Sequence, residues 1–197
     1  MRKILLMTGL LVCFYSTDLF SQSQPVPAKK KNTRFHSYNS LVLLTGQQTV
    51  SGGIQSVNGI EWNSFFAGAG IGFDFYRAGT TPLFLDLRKS FGKGKSQVFV
   101  YGDIGYNFTW PGNGIYYYGS NDKPNLNGGL YTDIGLGYQK GIGRNDALVF
   151  SAGYTYKTFT EYITAYPLCL IGYPCEPFQS EILYKLNRLS FKIGWRF

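Results

Sequence analysis

The sequence predicts an all-β protein, a closed antiparallel barrel of eight strands that cross a membrane in up-and-down order. Aromatic residues make up 18% of the 197 residues and Gly contributes 25, whereas only 15% are charged, a composition that favours strands over helices. From residue 36 onward, apolar and polar residues alternate with a period of two. After residue 21, no run of about 18 apolar residues occurs, so the sequence excludes a membrane-spanning helix.

The amino-terminal residues 1–21 are typical of a secretory signal peptide. Arg2 and Lys3 precede an apolar stretch over 4–15, and cleavage after Ser21 is expected. Cys13 raises lipid attachment as an alternative, which the sequence disfavours because no small residue precedes this cysteine. We therefore expect an exported protein without a lipid anchor.

Residues 22–35 follow as a basic segment. They carry +4 of the formal net charge of +8, mostly from Lys29, Lys30 and Lys31. Because this segment has little apolar surface to bury, we predict a flexible tail on the periplasmic side. Nucleic-acid binding is disfavoured, since the rest of the chain has no basic stripe.

The alternation predicts eight strands, at about 36–46, 54–62, 65–76, 82–91, 97–110, 128–141, 146–163 and 180–197. The breaks after the second, fourth and sixth strands are short, and those after the first, fifth and seventh are long. The break at Ala78–Thr81 is the exception to this rule. An even number of strands with short turns at one end is typical of bacterial outer-membrane barrels, and closure pairs the first strand with the last.

The parity of each strand assigns its two faces. The last strand is the clearest, because Phe191, Ile193 and Trp195 share an apolar outward face. Small inward residues such as Gly68 and Gly70 leave room for large neighbours in a narrow barrel. The same parity turns ten charged side chains inward: Glu61, Asp74, Asp86, Asp103, Asp133, Arg88, Lys157, Arg188, Lys192 and Arg196.

These ten residues, called here the lumen charges, comprise five acids and five bases. Because isolated buried charges are costly, we predict that they pair and fill the lumen. A filled lumen argues against a pore. A proton or ion path through these charges remains the alternative interpretation.

The three tryptophans are predicted to form two aromatic girdles at the membrane surfaces. Trp62 and Trp195 fall at the end with short turns, and Trp110 falls at the end with long loops. The alternative is a soluble β-sandwich in which these side chains belong to the core. The export signal favours the barrel.

The terminal segment Leu189–Phe197 resembles the carboxy-terminal signal of outer-membrane β-barrel proteins, an alternating strand that ends in an aromatic residue. The segments 66–77 and 82–88 are similar to those of small, OmpA/OmpX-like barrel domains of Bacteroidetes type. The resemblance covers residues 36–197. It implies that Phe197, with Trp195 and Phe191, is read by the barrel-assembly machinery, and it leaves the activity open.

An enzymatic function is not predicted, and neither is a cofactor or a metal ion. Barrels that modify lipids need a His with a Ser and often a carboxylate. His36 is the single histidine, and we expect it to be exposed or interfacial at the periplasmic end. A lipid-modifying enzyme remains the alternative if a Ser and a carboxylate converge on His36.

Two predicted loops carry candidate surface features. Cys169 and Cys175 lie in the loop 164–179, where an oxidising compartment favours a disulfide. The loop 111–127 carries Tyr116, Tyr117 and Tyr118, aromatic residues that are candidates for recognition.

Together these observations predict an outer-membrane barrel that acts as a structural or interaction protein, through its extracellular loops or as a subunit of a larger complex. The expected partners are outer-membrane lipid, lipopolysaccharide, the assembly machinery and another outer-membrane protein. A small transport barrel is a second alternative.

Overall fold

The computed structural model describes residues 33–46, 49–76, 78–92, 94–110, 125–143, 146–165 and 178–197. Strands and the turns between them make up this part of the chain. No helix within it has the length and the apolar content that are needed to span a membrane. The predicted signal peptide, Cys169, Cys175 and the three loop tyrosines lie outside the described residues.

The protein forms a closed antiparallel barrel of eight long strands, which confirms the predicted fold class. A three-residue strand, β6, extends the ladder of β7 along β8 beyond Gly128. The strands are β1 Thr33–Thr45, β2 Val50–Trp62, β3 Phe65–Tyr76, β4 Ala78–Phe91, β5 Ser96–Trp110, β6 Asn125–Asn127, β7 Gly129–Gly141, β8 Ala147–Ala165 and β9 Phe178–Arg196.

The register of the strands sets the shape of the barrel. Each long strand pairs with the next, and β9 returns to pair with β1 from Tyr38↔Arg196 to Thr45↔Leu189. A path can be traced around the barrel from each residue to its partner on the next strand. A path that starts at Thr33 of β1 returns to β1 at Leu43, so the register is displaced by 10 residues in one circuit. Such a displacement requires strands tilted by about 40° to the barrel axis.

Side chains alternate between the two faces of the wall as the sequence predicts. On β9, Ile193 is 49% exposed on the outer face, whereas its neighbour Lys192 is 8% exposed and lies in the lumen. The outer face is apolar over most of its height, with exposed Leu, Ile, Val and Phe on every long strand. The outer wall is therefore suited to a hydrocarbon environment.

Three strands, β1, β2 and β4, begin three or four residues before their predicted positions. β1 begins at Thr33, inside the predicted tail, and β2 begins at Val50, so that the break after β1 is short. The prediction of a long loop there was wrong, because the alternation of buried Ser51 and exposed Gly52 continues the strand. The predicted break at 78–81 is also part of a strand, β4.

The short turns have the backbone that tight hairpins require. Asn63 and Ser64 connect β2 to β3 with positive φ values of 47° and 68°. Two such residues match the twist of the flanking strands, and Asn tolerates this conformation. We call this end of the barrel the short-turn end and the opposite end the long-loop end.

The aromatic residues near the two rims lie where the sequence places them. Trp62 ends β2 and Trp195 lies near the end of β9, both towards the short-turn end, and Trp110 ends β5 at the other rim. All three are about two-fifths exposed on the outer surface. The indole of Trp110 lies over Gly79, where a Cβ atom would clash with the ring.

Candidate functional site

The lumen charges are the candidate site, and the structure gathers them into groups at different heights. The acids Asp74, Asp86, Asp103 and Asp133 are each 5% exposed or less. All five predicted acids take part in an ion pair. The pairing is not one to one, since one lysine serves two of the acids.

Lys192 is that shared base. Its Nζ lies 3.2 Å from Oδ2 of Asp103 and 3.0 Å from Oδ2 of Asp133. Tyr101 and Ser190 both donate to Oδ1 of Asp133, at 3.2 and 3.1 Å. The three charged residues come from β5, β7 and β9, so that this cluster ties together strands far apart in the sequence.

The carboxylate of Asp103 has weaker hydrogen bonds than that of Asp133. Besides Lys192, its Oδ2 accepts a long hydrogen bond of 3.5 Å from Nε2 of Gln55, and its Oδ1 has no partner among the described residues. Lys192 therefore provides most of the stabilisation of this carboxylate.

Arg88 and Asp86 form a second group, in which the guanidinium also contacts aromatic rings. Arg88 binds Asp86 through two nitrogens, with Nε at 2.8 Å from Oδ1 and Nη2 at 2.6 Å from Oδ2. The guanidinium carbon lies 4.0 Å from the ring centre of Tyr38, and the rings of Phe66 and Phe99 are within 5.6 Å. Planar stacking of this kind is suited to Arg and not to Lys.

A third group lies towards the long-loop end. Lys157 forms an ion pair with Asp74, and Thr80 donates a 2.7 Å hydrogen bond to the same carboxylate. Farther along, Arg188 donates to the carbonyl oxygen of Thr49 at 2.9 Å and to its hydroxyl at 3.1 Å. Arg188 thus fastens the β1–β2 turn to the lumen side of β9.

Glu61, Arg196 and His36 form the group at the short-turn end. Oε2 of Glu61 lies 3.3 Å from Nε2 of His36 and 3.5 Å from Nη1 of Arg196. His36 is 5% exposed, so the prediction of an exposed or interfacial histidine was wrong. Its side chain points into the barrel mouth, where the pairing of β1 with β2 places Glu61 beside it.

A polar cavity of about 410 Å³ opens at this mouth. Its lining includes His36, Glu61 and Arg196 together with Lys95 and Asp146 from the turns. A carboxylate therefore converges on the histidine, but no Ser hydroxyl reaches its Nδ1, which makes no hydrogen bond to a described residue. The described residues also contain no group of three or more side chains that could hold a metal ion.

The middle of the lumen is packed. Two cavities beside Asp74 and Lys157 have volumes of only about 20 and 10 Å³, space for single water molecules. Large aromatic side chains occupy the remaining space, because small residues face them: a Cβ atom at Gly70 would clash with Phe84, and one at Gly137 with Phe99. These two cavities are too small for a solute larger than water.

Several buried polar residues were not among the predicted lumen charges. Glu161 is 1% exposed and accepts a 2.9 Å hydrogen bond from the hydroxyl of Tyr184. It has the same parity on β8 as Lys157, so that alternation alone would have placed it inward. Gln55 and Tyr101 also face inward by parity, but their importance depends on contacts between strands.

The predicted assembly-signal residues lie on the outer surface of the last strand. Phe191, Trp195 and Phe197 are each about half exposed and face outward. The backbone of Phe197 exchanges two hydrogen bonds with Ser37, at 2.8 and 3.1 Å. The last residue therefore completes the seam between β9 and β1.

Comparison with solved structures finds the same fold in outer-membrane proteins. Neisserial surface protein A (NspA) matches with a TM-score of 0.52 and 11% identity, over 83% of this chain and 95% of that chain. The outer membrane protein OprG from Pseudomonas aeruginosa matches with a TM-score of 0.53 and 10% identity, over 82% and 93%. Outer membrane protein AlkL overlaps with a TM-score of 0.42 and 11% identity, over 90% and 96%.

No protein-family model matches the sequence, and no curated protein matches it either. The similarity to the solved structures establishes the fold as that of a small outer-membrane barrel.

Proposed function

We propose that this protein is an integral outer-membrane barrel with a closed lumen, which acts as a structural or interaction protein and is neither an enzyme nor a channel. The packing of the lumen carries the proposal. Buried ion pairs and aromatic rings occupy the space that a solute would need, and a solute could pass only if these contacts were broken.

Residence in the outer membrane is supported by the outer surface. Apolar side chains cover the wall between the rims, and closure of the sheet by β9 and β1 leaves the wall without an open edge. The two solved structures with TM-scores above 0.5 are a surface protein and an outer-membrane protein by their titles. Export with cleavage near Ser21, and the resemblance to OmpA/OmpX-like domains of Bacteroidetes, belong to the same proposal.

One observation favours a lipid-modifying enzyme, and another disfavours it. Glu61 lies beside His36 as that alternative requires, but no Ser of the described residues hydrogen-bonds to Nδ1 of His36. The pair lies at the short-turn end, which faces the periplasm in the proposed orientation. We therefore propose that Glu61 has a structural role and holds His36 and Arg196 at the mouth of the barrel.

The interaction role is assigned to surfaces, since the lumen is filled. The proposed partners are outer-membrane lipid and lipopolysaccharide around the wall, the barrel-assembly machinery at Phe197, and another outer-membrane protein. The loop tyrosines 116–118 and a disulfide between Cys169 and Cys175 remain proposals about the long-loop end.

A conductance measurement tests the closed lumen directly. The purified mature protein is inserted into planar phosphatidylcholine bilayers, and we expect no resolved single-channel steps. A matched variant, Phe84→Ala, removes one of the rings that fill the lumen and reports whether the assay detects an enlarged space. Reproducible steps from the unsubstituted protein would contradict the closed lumen.

Two further measurements separate the alternatives. Mass spectrometry of lipid A and phospholipids from cells with the unsubstituted protein or His36→Ala should give the same pattern, and a loss of a modified lipid in the variant would favour the enzyme. Mild purification from outer membranes followed by mass spectrometry should identify a stoichiometric partner of an interaction protein.

A further inference from the structure

The outer wall of β1 and β2 carries a polar patch, defined here as Asn39, Ser56 and Asn58. Asn39 pairs with Ser56 across the two strands, and Asn58 lies two residues from Ser56 along β2. Both asparagines are exposed on the outer face of the barrel. Amide side chains thus project from a region of the wall whose neighbouring outward residues are mostly apolar.

The patch lies within the apolar band and not at its rim. Ile60 and Trp62 follow it towards the short-turn end, and Ile54 follows it towards the long-loop end, all of them exposed. Asn58 is four residues from Trp62, which places it about 10 Å deeper along the axis of a tilted strand. On β1, exposed Phe35 and Leu41 flank Asn39 in the same way.

These amides lack adequate partners among the described residues. Asn58 makes no side-chain hydrogen bond to any described residue, and Nδ2 of Asn39 has only a long contact of 3.4 Å to Oγ of Ser37. At the same depth, the outward positions of the other described strands hold apolar residues or Gly. In hydrocarbon an amide without a hydrogen-bond partner is costly, so a partner is expected from outside the chain.

A groove lies beside the part of the patch formed by Asn39 and Ser56. The groove of about 530 Å³ has Asn39 and Ser56 in its lining, with Leu41 and Ile54 on one side and Trp195 on the other. On the next strand, β3, the residues paired with Ile60 and Asn58 are alanines, whose small side chains protrude little from the outer wall. Small residues of this kind let two membrane proteins approach closely.

The register makes the patch complementary to itself. Because the strands are tilted, Ser56 on β2 lies about 3 Å closer to the long-loop end than its partner Asn39 on β1. Asn58 lies about 5 Å from Ser56 along the barrel axis, in the direction of the short-turn end. Asn39 and Asn58 therefore lie within about 2 Å of the same height. Two copies inserted in the same orientation are related by an axis along the membrane normal, which preserves height.

We propose that the β1–β2 wall binds a second copy of this chain in the membrane, with Asn39 of each copy facing Asn58 of the other. An amide both donates and accepts hydrogen bonds, so each facing pair satisfies both side chains. The inference rests on the membrane placement proposed above and names the partner that the proposed interaction role requires. The axis lies at the groove, where the side chains of the two walls interlock.

Self-association of the mature chain in phosphatidylcholine vesicles tests this proposal. Energy transfer between donor- and acceptor-labelled copies is measured as the lipid-to-protein ratio is varied. The double variant Asn39→Leu/Asn58→Leu should raise the dissociation constant at least tenfold. The matched control Thr132→Leu makes the same kind of change on β7, on the opposite wall, and should leave the constant within twofold of the unsubstituted protein.

Disulfide crosslinking tests whether residue 39 of one copy faces residue 58 of the other. In a background with Cys169→Ser and Cys175→Ser, a mixture of Asn39→Cys and Asn58→Cys proteins should form a disulfide-linked dimer upon oxidation. Ile104→Cys, on the opposite wall, should not. Heat-modifiable migration on gels confirms that each variant is a folded barrel.

The outcomes separate this proposal from the proposed function. Failure of the folded chain to insert into vesicles would contradict both. Insertion with no energy transfer above that of random encounters, or a double variant that associates as tightly as the unsubstituted protein, would overturn the dimer alone. Crosslinks in cells from residue 58 to a different membrane protein, together with a monomeric chain in vesicles, would also overturn it.

Discussion

Replacement of Lys192 by Met should be among the most damaging changes in the lumen. Met retains the length of the side chain and removes the charge that lies within 3.2 Å of both Asp103 and Asp133. Both carboxylates are almost fully buried. Loss of one partner of a buried ion pair costs about 3–5 kcal/mol, because the remaining charge stays desolvated. We expect a loss of that size in the free energy of unfolding.

The hydrogen bonds of the two acids predict which of them causes the loss. Asp133 keeps the hydroxyl groups of Tyr101 and Ser190, whereas Asp103 keeps only the long contact to Gln55. The second change Asp103→Asn should therefore recover about 2 kcal/mol of the loss, since it removes the less well solvated charge.

Equilibrium unfolding by urea in phosphatidylcholine vesicles, followed by tryptophan fluorescence, measures both effects. Lys89→Met is the matched control, because Nζ of Lys89 lies on the outer surface 3.6 Å from the ring centre of Phe65. An exposed contact of this kind contributes about 0.5–1 kcal/mol. The reasoning is refuted if Lys192→Met and Lys89→Met lose equal stability, or if Asp103→Asn gives no recovery.

Three further changes have expected outcomes. Arg88→Lys should lower the free energy of unfolding by about 2 kcal/mol in the same urea assay, because Lys cannot bind Asp86 with two nitrogens. Gly70→Val should cost about 1–3 kcal/mol through a clash with Phe84, and a stability equal to that of the unsubstituted protein would contradict the packing described. Removal of Phe197 should reduce the amount of heat-modifiable barrel in cell membranes, and an unchanged yield would count against its role in assembly.

Strand positions could be predicted because a barrel wall imposes one rule on every residue. A side chain faces either an apolar exterior or a crowded interior, so the period of two persists through whole strands and places Asp74, Lys157 and Lys192 inside. The prediction was wrong at the two glycines, residues 52 and 53, which lie in the predicted break between the first two strands. The sequence suggests a loop there, whereas β2 continues through both.

The contacts inside the barrel could not be predicted from parity. Parity places Asp103 and Asp133 inward, but only the displacement of 10 residues around the barrel determines which lysine lies between them. The burial of His36 has the same origin, because the pairing of β1 with β2 and β9 sets Glu61 and Arg196 beside it. Such neighbours depend on register, which a single sequence does not encode locally.

The predicted acids of the lumen are paired with bases, whereas an amide on the outer wall has no partner among the described residues. In the lumen, each of the five predicted acids has an ion pair, and a solute that entered would have to replace those contacts at a cost of several kcal/mol. On the outer wall, Asn58 faces the apolar exterior with no side-chain partner among the described residues. In the proposed membrane setting an unpaired amide on this wall is costly, which supports the proposed contact with a second copy. In this proposal the packed interior holds the wall rigid, and Asn39 and Asn58 on the wall bind the second copy.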